Sequence, residues 1–367
     1  DNQITVLLPH AEMGQGAGTG LAQMLAEEME ANWETIQITQ APATDAYTNS
    51  DLGRGYIVGE GAHIPAFAYP MLDFAFLKIS ENLVGQMTGG STAIRLTGHH
   101  GMRRAGAAAK DMLVKAAAAQ WDLPAETLVA KDSTVTDPAS GQTATYGELA
   151  VRAAEFTPDL KPTLKAPASY TIVGTPTRRL DLPEKVDGTA QFGMDVILPG
   201  MVYAALALPP VQGAQATDVD ESGVTPRPGL GQVVNIGRAV AITADSYWTA
   251  SRALDELEIT WEGGQSNLSS QAIRATHAAD LDDKDRDVMD SAGDVDAAMS
   301  SGRKVTAEFE VPYLAHATME PMNATAKWTP EFCEVWCPTQ NGEAALAAAS
   351  EAAGLPLEQC EVYKIHL

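Results

Sequence analysis

Residues 3–31 read QITVLLPHAEMGQGAGTGLAQMLAEEMEA, and three kinds of segment follow one another within them. Gln3–Leu8 is rich in β-branched and aliphatic residues and predicts a strand. From Thr19 to Ala31 the apolar residues Leu21, Met24, Leu25 and Met29 fall on one face of a helix, the ordinary pattern of a packing stripe. Between the two lies Glu12-Met-Gly-Gln-Gly16. Glycines there let the backbone approach a ligand closely, and free amides at a helix start favour an anion or an oxo group. Gln15 adds a neutral side-chain donor. A strand–glycine–helix turn is a weak signal by itself, since many such turns bind nothing. It lacks the Gly-Lys-Ser/Thr of a phosphate loop and does not fit G-x-G-x-x-G.

The arrangement recurs. Gly89-Gly-Ser-Thr-Ala-Ile-Arg95 places two glycines, two hydroxyls and a guanidinium ahead of a helix predicted over Met102–Ala119, with Met102, Ala105, Ala109, Met112, Leu113 and Ala116 as its apolar stripe. Ser91 and Thr92 with backbone amides suit a phosphate or a pterin edge; a plain helix-capping turn is the alternative. Pro338-Thr-Gln-Asn341 is a third turn of this kind, after a strand at Phe332–Cys337 and before a helix at Glu343–Ala353, with Gln340 offering an amide. Three donor-bearing turns point to one large, neutral-to-anionic cofactor held between lobes.

At 367 residues and 45% hydrophobic content, the chain is longer than single cores usually grow and predicts a multi-lobed α/β protein. Proline-rich sequence from Pro158 to Pro167 predicts a boundary near residue 165. The second region has an α+β texture: strands at Gln232–Asn235, Ala239–Ala244 and Leu257–Trp261, and a helix at Ser246–Glu256 that Asp245 or Ser246 caps. Residues 264–300 are polar and read as a solvated connection. Asp280–Asp287 at their centre raises a calcium loop as the sharper alternative, but the EF-hand's central glycine and terminal glutamate are missing. Strands are expected at Lys304–Val311 and near Asn323–Trp328, and a last one at Glu361–Leu367. Opening and closing inside sheet is the mark of a fragment or of one half of a divided subunit.

With 48 acidic against 24 basic residues, the net charge of -24 would repel nucleic acid and anionic membranes. No run of 18 apolar residues exists and no basic-then-apolar stretch opens these 367 residues, so neither a membrane span nor a signal peptide is expected within them. Cys333, Cys337 and Cys360 cannot hold a four-cysteine iron–sulfur cluster, so any such cluster belongs to another chain. Cys333 and Cys337 share a strand face ~13 Å apart, which predicts buried free thiols rather than a disulfide. His99 and His100 are adjacent, while His10, His63, His277, His316 and His366 are scattered. None has the spacing of a zinc site, and no residue set here is assigned as metal ligands. No G-x-S-x-G supports a serine hydrolase.

PHAEMGQGAGTGLAQMLAEEME (9–30), GGSTAIR (89–95) and RRAGAAAKDMLVKAAAAQW (103–121) resemble the opening of a molybdopterin-binding large subunit of the xanthine dehydrogenase and aldehyde oxidase family, of the isoquinoline 1-oxidoreductase beta-subunit type. VGTPTRRLDLPEKVDGTAQFGMDVILPGMVYAALALPP (173–210) looks like the start of that family's hammerhead domain. YLAHATMEPMNATA (313–326) with EVWCPTQN (334–341) is similar to its first molybdopterin-binding lobe. These blocks are spread over nearly the whole chain, from residue 9 to residue 341, in the family's order.

The resemblance implies an α+β, multi-lobed subunit. Residues 1–165 would form a molybdopterin-binding lobe, 166–265 an α/β hammerhead domain, 266–302 a polar connection and 303–367 the start of another such lobe. It also implies molybdopterin, as such or as its cytosine dinucleotide, with molybdenum, and oxidation of an aromatic N-heterocycle or an aldehyde with water as the oxygen source. A small iron–sulfur subunit would receive the electrons, the remainder of the large subunit would complete the site, and a bacterial periplasmic location is favoured over the cytoplasm. Gln15, flanked by Gly14 and Gly16, is similar to the glutamine of the family's cofactor-contacting turn. Gly90, Ser91, Thr92, Ala93 and Arg95 resemble the pterin- and phosphate-binding segment. Gln340 looks like the glutamine that hydrogen-bonds an oxo ligand of molybdenum. The family's GGGFG stretch and glutamate base are expected beyond Leu367, so no catalytic residue is assigned here. A non-catalytic scaffold or assembly fragment is the competing expectation.

Overall fold

The computed structural model describes residues 2–48, 69–80, 85–89, 93–265, 267–281, 283, 285 and 292–367. Packing gathers the chain into two compact units, one of Asp1–Val196 with His316–Leu367, the other of Ile197–Ala315, and the fold is mixed α+β.

In the first unit, β1 (Ile4–Leu8) leads through the glycine turn into α1 (Ala17–Met29) and on to β2 (Ile36–Gln40), which pairs parallel to β1 with Ile4 opposite Ile36. A parallel pair needs a crossover, and α1 supplies it. Leu21, Ala22 and Ala26 on α1 are fully buried, because the helix is covered on two sides rather than on the single stripe its sequence predicts. α2 (Tyr69–Ser80) follows. A π-helix at Ala93–Met102 then runs directly into α3 (Arg103–Trp121). The helix expected to begin at Met102 is therefore preceded by helical residues from Ala93 onward. α1 and α3 cross at Gly106, where an added Cβ would stand 2.3 Å from the carbonyl oxygen of Leu25. Only glycine allows that approach.

Beyond α3, β3 (Val129–Lys131), β4 (Thr134–Thr136) and β5 (Thr143–Thr145) form an antiparallel meander. It ends in α4 (Tyr146–Ala153), started by a reciprocal cap between Thr145 and Glu148. Leu21, Met29, Leu113, Val135, Tyr146 and Leu149 share one core. The proline-rich stretch is not loose. Lys165 reaches the Glu27 carboxylate at 2.5 Å, and the amides of Thr171, Ile172 and Val173 donate to the other oxygen of Glu27. Burial works to raise the Glu27 pKa, but these donors outweigh it and hold the carboxyl below its ordinary value. A short α5 (Leu182–Asp187) follows.

The second unit holds β6 (Tyr203–Ala207), β7 (Ala214–Asp220), β8 (Leu230–Asn235), β9 (Val240–Ala244), α6 (Tyr247–Leu254) and β10 (Glu258–Gly263). Strands β6, β9 and β8 make one antiparallel sheet, β7 and β10 a second. Of the two candidates Asp245 and Ser246, it is Ser246 that caps α6, accepting from the Thr249 amide. Residues 264–300 are exposed where described, apart from the half-buried Ile273, yet they are not only connection: α7 (Ser270–Leu281) and α8 (Val295–Ser300) form within them. The acidic stretch read as a possible calcium loop falls partly outside the described residues. The strand expected at Lys304–Val311 does not form. Its residues are exposed and carry no ladder, because alternation marks a chain that can be a strand but a strand needs an edge to pair with.

The chain then returns to the first unit with β11 (Thr325–Trp328), β12 (Cys333–Pro338), α9 (Gly342–Ala353) and β13 (Cys360–Ile365). β12 and β13 are parallel, so β12–α9–β13 repeats the β–α–β plan of β1–α1–β2. The three thiols are free and buried, and Cys333 stands beside Cys360 in the register. Among the described residues no helix is long and apolar enough to cross a membrane.

Candidate functional site

The two β–α–β units put their strand-to-helix turns in the same unit, and hydrogen bonds join both to the segment between α2 and the π-helix. The Ala11 amide donates to Thr88 Oγ1 at 2.8 Å, and the Thr88 amide donates to the Gln340 carbonyl at 2.7 Å. Met87 and Asn341 form a bridge beside them. The turns around Gln15 and Gln340, separate in the sequence, are thus linked through residues 87–88.

Within the first turn the backbone amides are not free. Glu12, 5% exposed, accepts from Gly14 and Gly16 at 2.9 Å through Oε1 and from Gly18 at 3.1 Å through Oε2. The chain's own carboxylate fills the place expected for an external anion. Gly14 and Gly16 have φ of 92° and 78°, values that glycine adopts without strain, and open space surrounds both. Gln15 is exposed; its Oε1 accepts from the Met13 amide at 2.6 Å and its Nε2 donates to the Ala11 carbonyl at 3.0 Å.

Of the second segment, Gly90, Ser91 and Thr92 lie outside the described residues. Ala93 is fully buried at the start of the π-helix and Arg95 is exposed on it. π-Helical turns recur at functional sites. In the third turn, Asn341 caps α9 by accepting from the Ala344 amide at 3.0 Å. That leaves the capping role to Asn341. Gln340 is exposed, and its side-chain amide has no partner among the described residues.

Buried polar groups lie behind these turns. His10, 2% exposed, sits 2.9 Å from Thr97 Oγ1 through Nε2. Burial and then the charge of Lys364 lower its pKa to about 4, against a smaller opposing contribution from the Met87 backbone, so the ring is neutral at pH 7. Burial likewise lowers Lys364 to about 8, with Glu343 pulling the other way. Glu343 itself accepts from Thr48 Oγ1 at 3.0 and 3.1 Å. Also in this unit is a cavity of ≈ 440 Å³, with Glu12, Asp181, Glu184, Thr189, Lys364 and His366 among its walls.

The donor set is made of side-chain amides, hydroxyls and backbone groups, and among the described residues no cluster of His, Cys, Asp and Glu is arranged to hold a metal ion. Such a set fits a cofactor that brings its own metal ligands and needs hydrogen bonds from the protein. Sequence reasoning missed Glu12 as the internal anion, and it missed His10 and Lys364 as buried groups. It also missed Arg179, whose Nη2 reaches Glu12 Oε1 at 3.0 Å from 167 positions away. Nothing local marks such a partner.

Residues 281–366 match the molybdopterin cofactor-binding domain family. Over more of its length the chain is distantly similar to molybdopterin-binding subunits of the xanthine oxidase family. It is 28% identical over 302 residues to the beta chain of isoquinoline 1-oxidoreductase from Brevundimonas diminuta, covering 73% of this chain and 35% of that protein. It is 28% identical over 356 residues to a nicotinate dehydrogenase polypeptide of Pseudomonas putida, covering 93% and 26%. A membrane-bound aldehyde dehydrogenase [pyrroloquinoline-quinone] of Gluconacetobacter polyoxogenes is 27% identical over 350 residues, covering 89% and 39%. The chain therefore spans about a quarter to two fifths of the length of these curated relatives.

Proposed function

We propose that this chain is the cofactor-holding part of a molybdenum-dependent oxidoreductase acting on an aromatic N-heterocycle or an aldehyde. The observation that carries the reading is the hydrogen-bonded union of the Gln15 and Gln340 turns through Thr88. When bound, the molybdenum pterin supplies a two-electron redox centre, with water as the oxygen source. Gln340, whose side-chain amide has no partner among the described residues, would donate to the molybdenum end. Gln15 would donate from the linked turn, with Gly14 and Gly16 setting its backbone. Gly90, Ser91, Thr92, Ala93 and Arg95 hold the pterin and phosphate portion. The buried His10 and Lys364 help to hold the chain that leads into the first turn, His10 through Thr97 and Lys364 through the Pro9 carbonyl.

On this reading residues 1–165 and 303–367 belong to molybdopterin-binding lobes, and 166–265 form a hammerhead domain that 266–302 connect to the second of them. Electrons leave through an iron–sulfur partner subunit, because the three cysteines here cannot hold a four-cysteine cluster. A periplasmic location accompanies the same family likeness.

Gln340→Glu tests the reading. The change keeps the shape and removes the donor, and one well-placed donor to a charged centre contributes on the order of 2–4 kcal/mol to the transition state. Turnover per bound molybdenum in the native complex should fall roughly 30- to 1000-fold. Equal turnover would remove Gln340 from the site. A native complex without molybdenum or pterin would end the proposal altogether.

A further inference from the structure

The glycine turn is gripped from two sides by residues that no motif connects. Glu12 accepts the amides of Gly14, Gly16 and Gly18, and Arg179 closes over the same turn: Nη1 donates to the Gly14 carbonyl at 2.7 Å while Nη2 donates to Glu12 at 3.0 Å. Arg179 is itself held. Its Nε and Nη2 reach the two oxygens of Asp181 at 2.9 and 2.6 Å, and Lys185 reaches Asp181 at 2.7 Å. The Asp181 hydrogen bond, opposed by some burial and helped by the charges of Glu12 and Asp181, raises the guanidinium pKa further, so its charge is permanent. Nearby, the Leu180 amide donates to Thr19 Oγ1 at 3.0 Å, fastening the same strand of chain to the first turn of α1.

The consequence falls on Gln15. Its Oε1 takes the Met13 amide and its Nε2 takes the Ala11 carbonyl, an assignment that a flipped amide would turn into two clashes of like groups. A primary amide has a second N–H, and on this exposed residue that N–H remains for a ligand. Both of Gln15's anchors are backbone groups of residues 11–13, so its direction is only as fixed as the turn.

We propose that Glu12 and Arg179 are positioning residues that hold this turn in one conformation and thereby aim the free N–H of Gln15. The Glu12 carboxylate stands where an external anion would otherwise bind, so the turn offers the cofactor a side-chain amide rather than an anion cradle. A guanidinium suits the task because its five donors lie in one fixed plane and make four hydrogen bonds here, one more than the three N–H groups of an ammonium can supply. That Gln15 meets the cofactor rests on the function proposed above; the grip on the turn does not.

The test uses the native, cofactor-loaded complex with Arg179→Ala, Arg179→Lys and Gln15→Ala. Arg179→Ala should raise amide hydrogen exchange at residues 14–18 at least tenfold, leave exchange in α3 at the wild-type rate, and lower turnover per bound molybdenum. Millimolar guanidinium ion should restore both readouts in part, which a general loss of folding would not permit. If Arg179→Ala does not fold, Arg179→Lys, with the charge but not the fork, should show a smaller rise at the same amides. Wild-type exchange at 14–18 in these variants overturns the proposal. Raised exchange with full turnover, while Gln15→Ala loses turnover, overturns the aiming of Gln15. If Gln15→Ala is also harmless, the placing of this turn at the cofactor fails, and the exchange data still decide whether the grip is real.

Discussion

His10 shows how one side chain near the site sets a pH limit. In the unfolded chain it titrates near 6.5, whereas in the folded protein burial and Lys364 bring it to about 4. Between those values the unfolded chain binds a proton that the folded chain refuses, so stability rises with pH through that window and is lost as pH falls through it. The loss is on the order of 3 kcal/mol at the acid end. Urea midpoints measured from pH 4 to 6.5 should show this slope, and His10→Asn should flatten it. Glu27, also held below its ordinary value, makes a contribution that is fully present above about 4.5 and is lost as pH falls below that, so it adds to the slope only at the acid end of the range. An unaltered slope in His10→Asn would mean that His10 is not the group responsible.

At the scale of elements, the crossing of α1 and α3 decides where the first turn stands, since α1 begins directly after it. An alanine Cβ at position 106 would lie 2.3 Å from Leu25 O and 3.2 Å from Glu28 Cβ, and a helix backbone cannot move aside as a side chain can. Gly106→Ala should therefore destabilise by about 1–3 kcal/mol through overpacking, outweighing the ~1 kcal/mol that alanine ordinarily adds to a helix. Gly101→Ala is the control, because its nearest neighbour, Thr97 Cγ2, is 3.8 Å away. Chemical denaturation of the two variants should separate them; equal stability would show that the crossing has room.

For the whole molecule, the two compact units differ in what holds them together. The first packs Leu8, Leu21, Leu113, Val135 and Leu149 with their neighbours into one buried cluster. In the second, the described buried cluster is Ala205, Ile242, Ala244, Ala250 and Ala253, with Val224, Leu230, Val233, Leu254 and Leu257 partly buried around it. Alanine contributes little apolar area, so opening of the second unit should cost less. Native-state hydrogen exchange should find β6, β8 and β9 less protected than α1 and α3. The reverse order would show that contacts other than this cluster stabilise the second unit.

What the sequence determined by itself is local. The period of Leu21, Met24, Leu25 and Met29 marks α1, Asp245 or Ser246 is offered as the cap of α6, and the turns at Gln15 and Gln340 are recognisable as strand-to-helix junctions, because each signal needs only neighbours a few residues away. Lys304–Val311 has the same local signal and forms no strand, since pairing depends on a distant edge. Tertiary structure alone decided that Glu12 fills the amides of its own turn, that Arg179 closes over it, and that His10 and Lys364 are buried behind it. A hydrogen bond or a desolvated charge depends on what the fold brings within about 3 Å, and partners 167 positions apart leave no trace in spacing or composition.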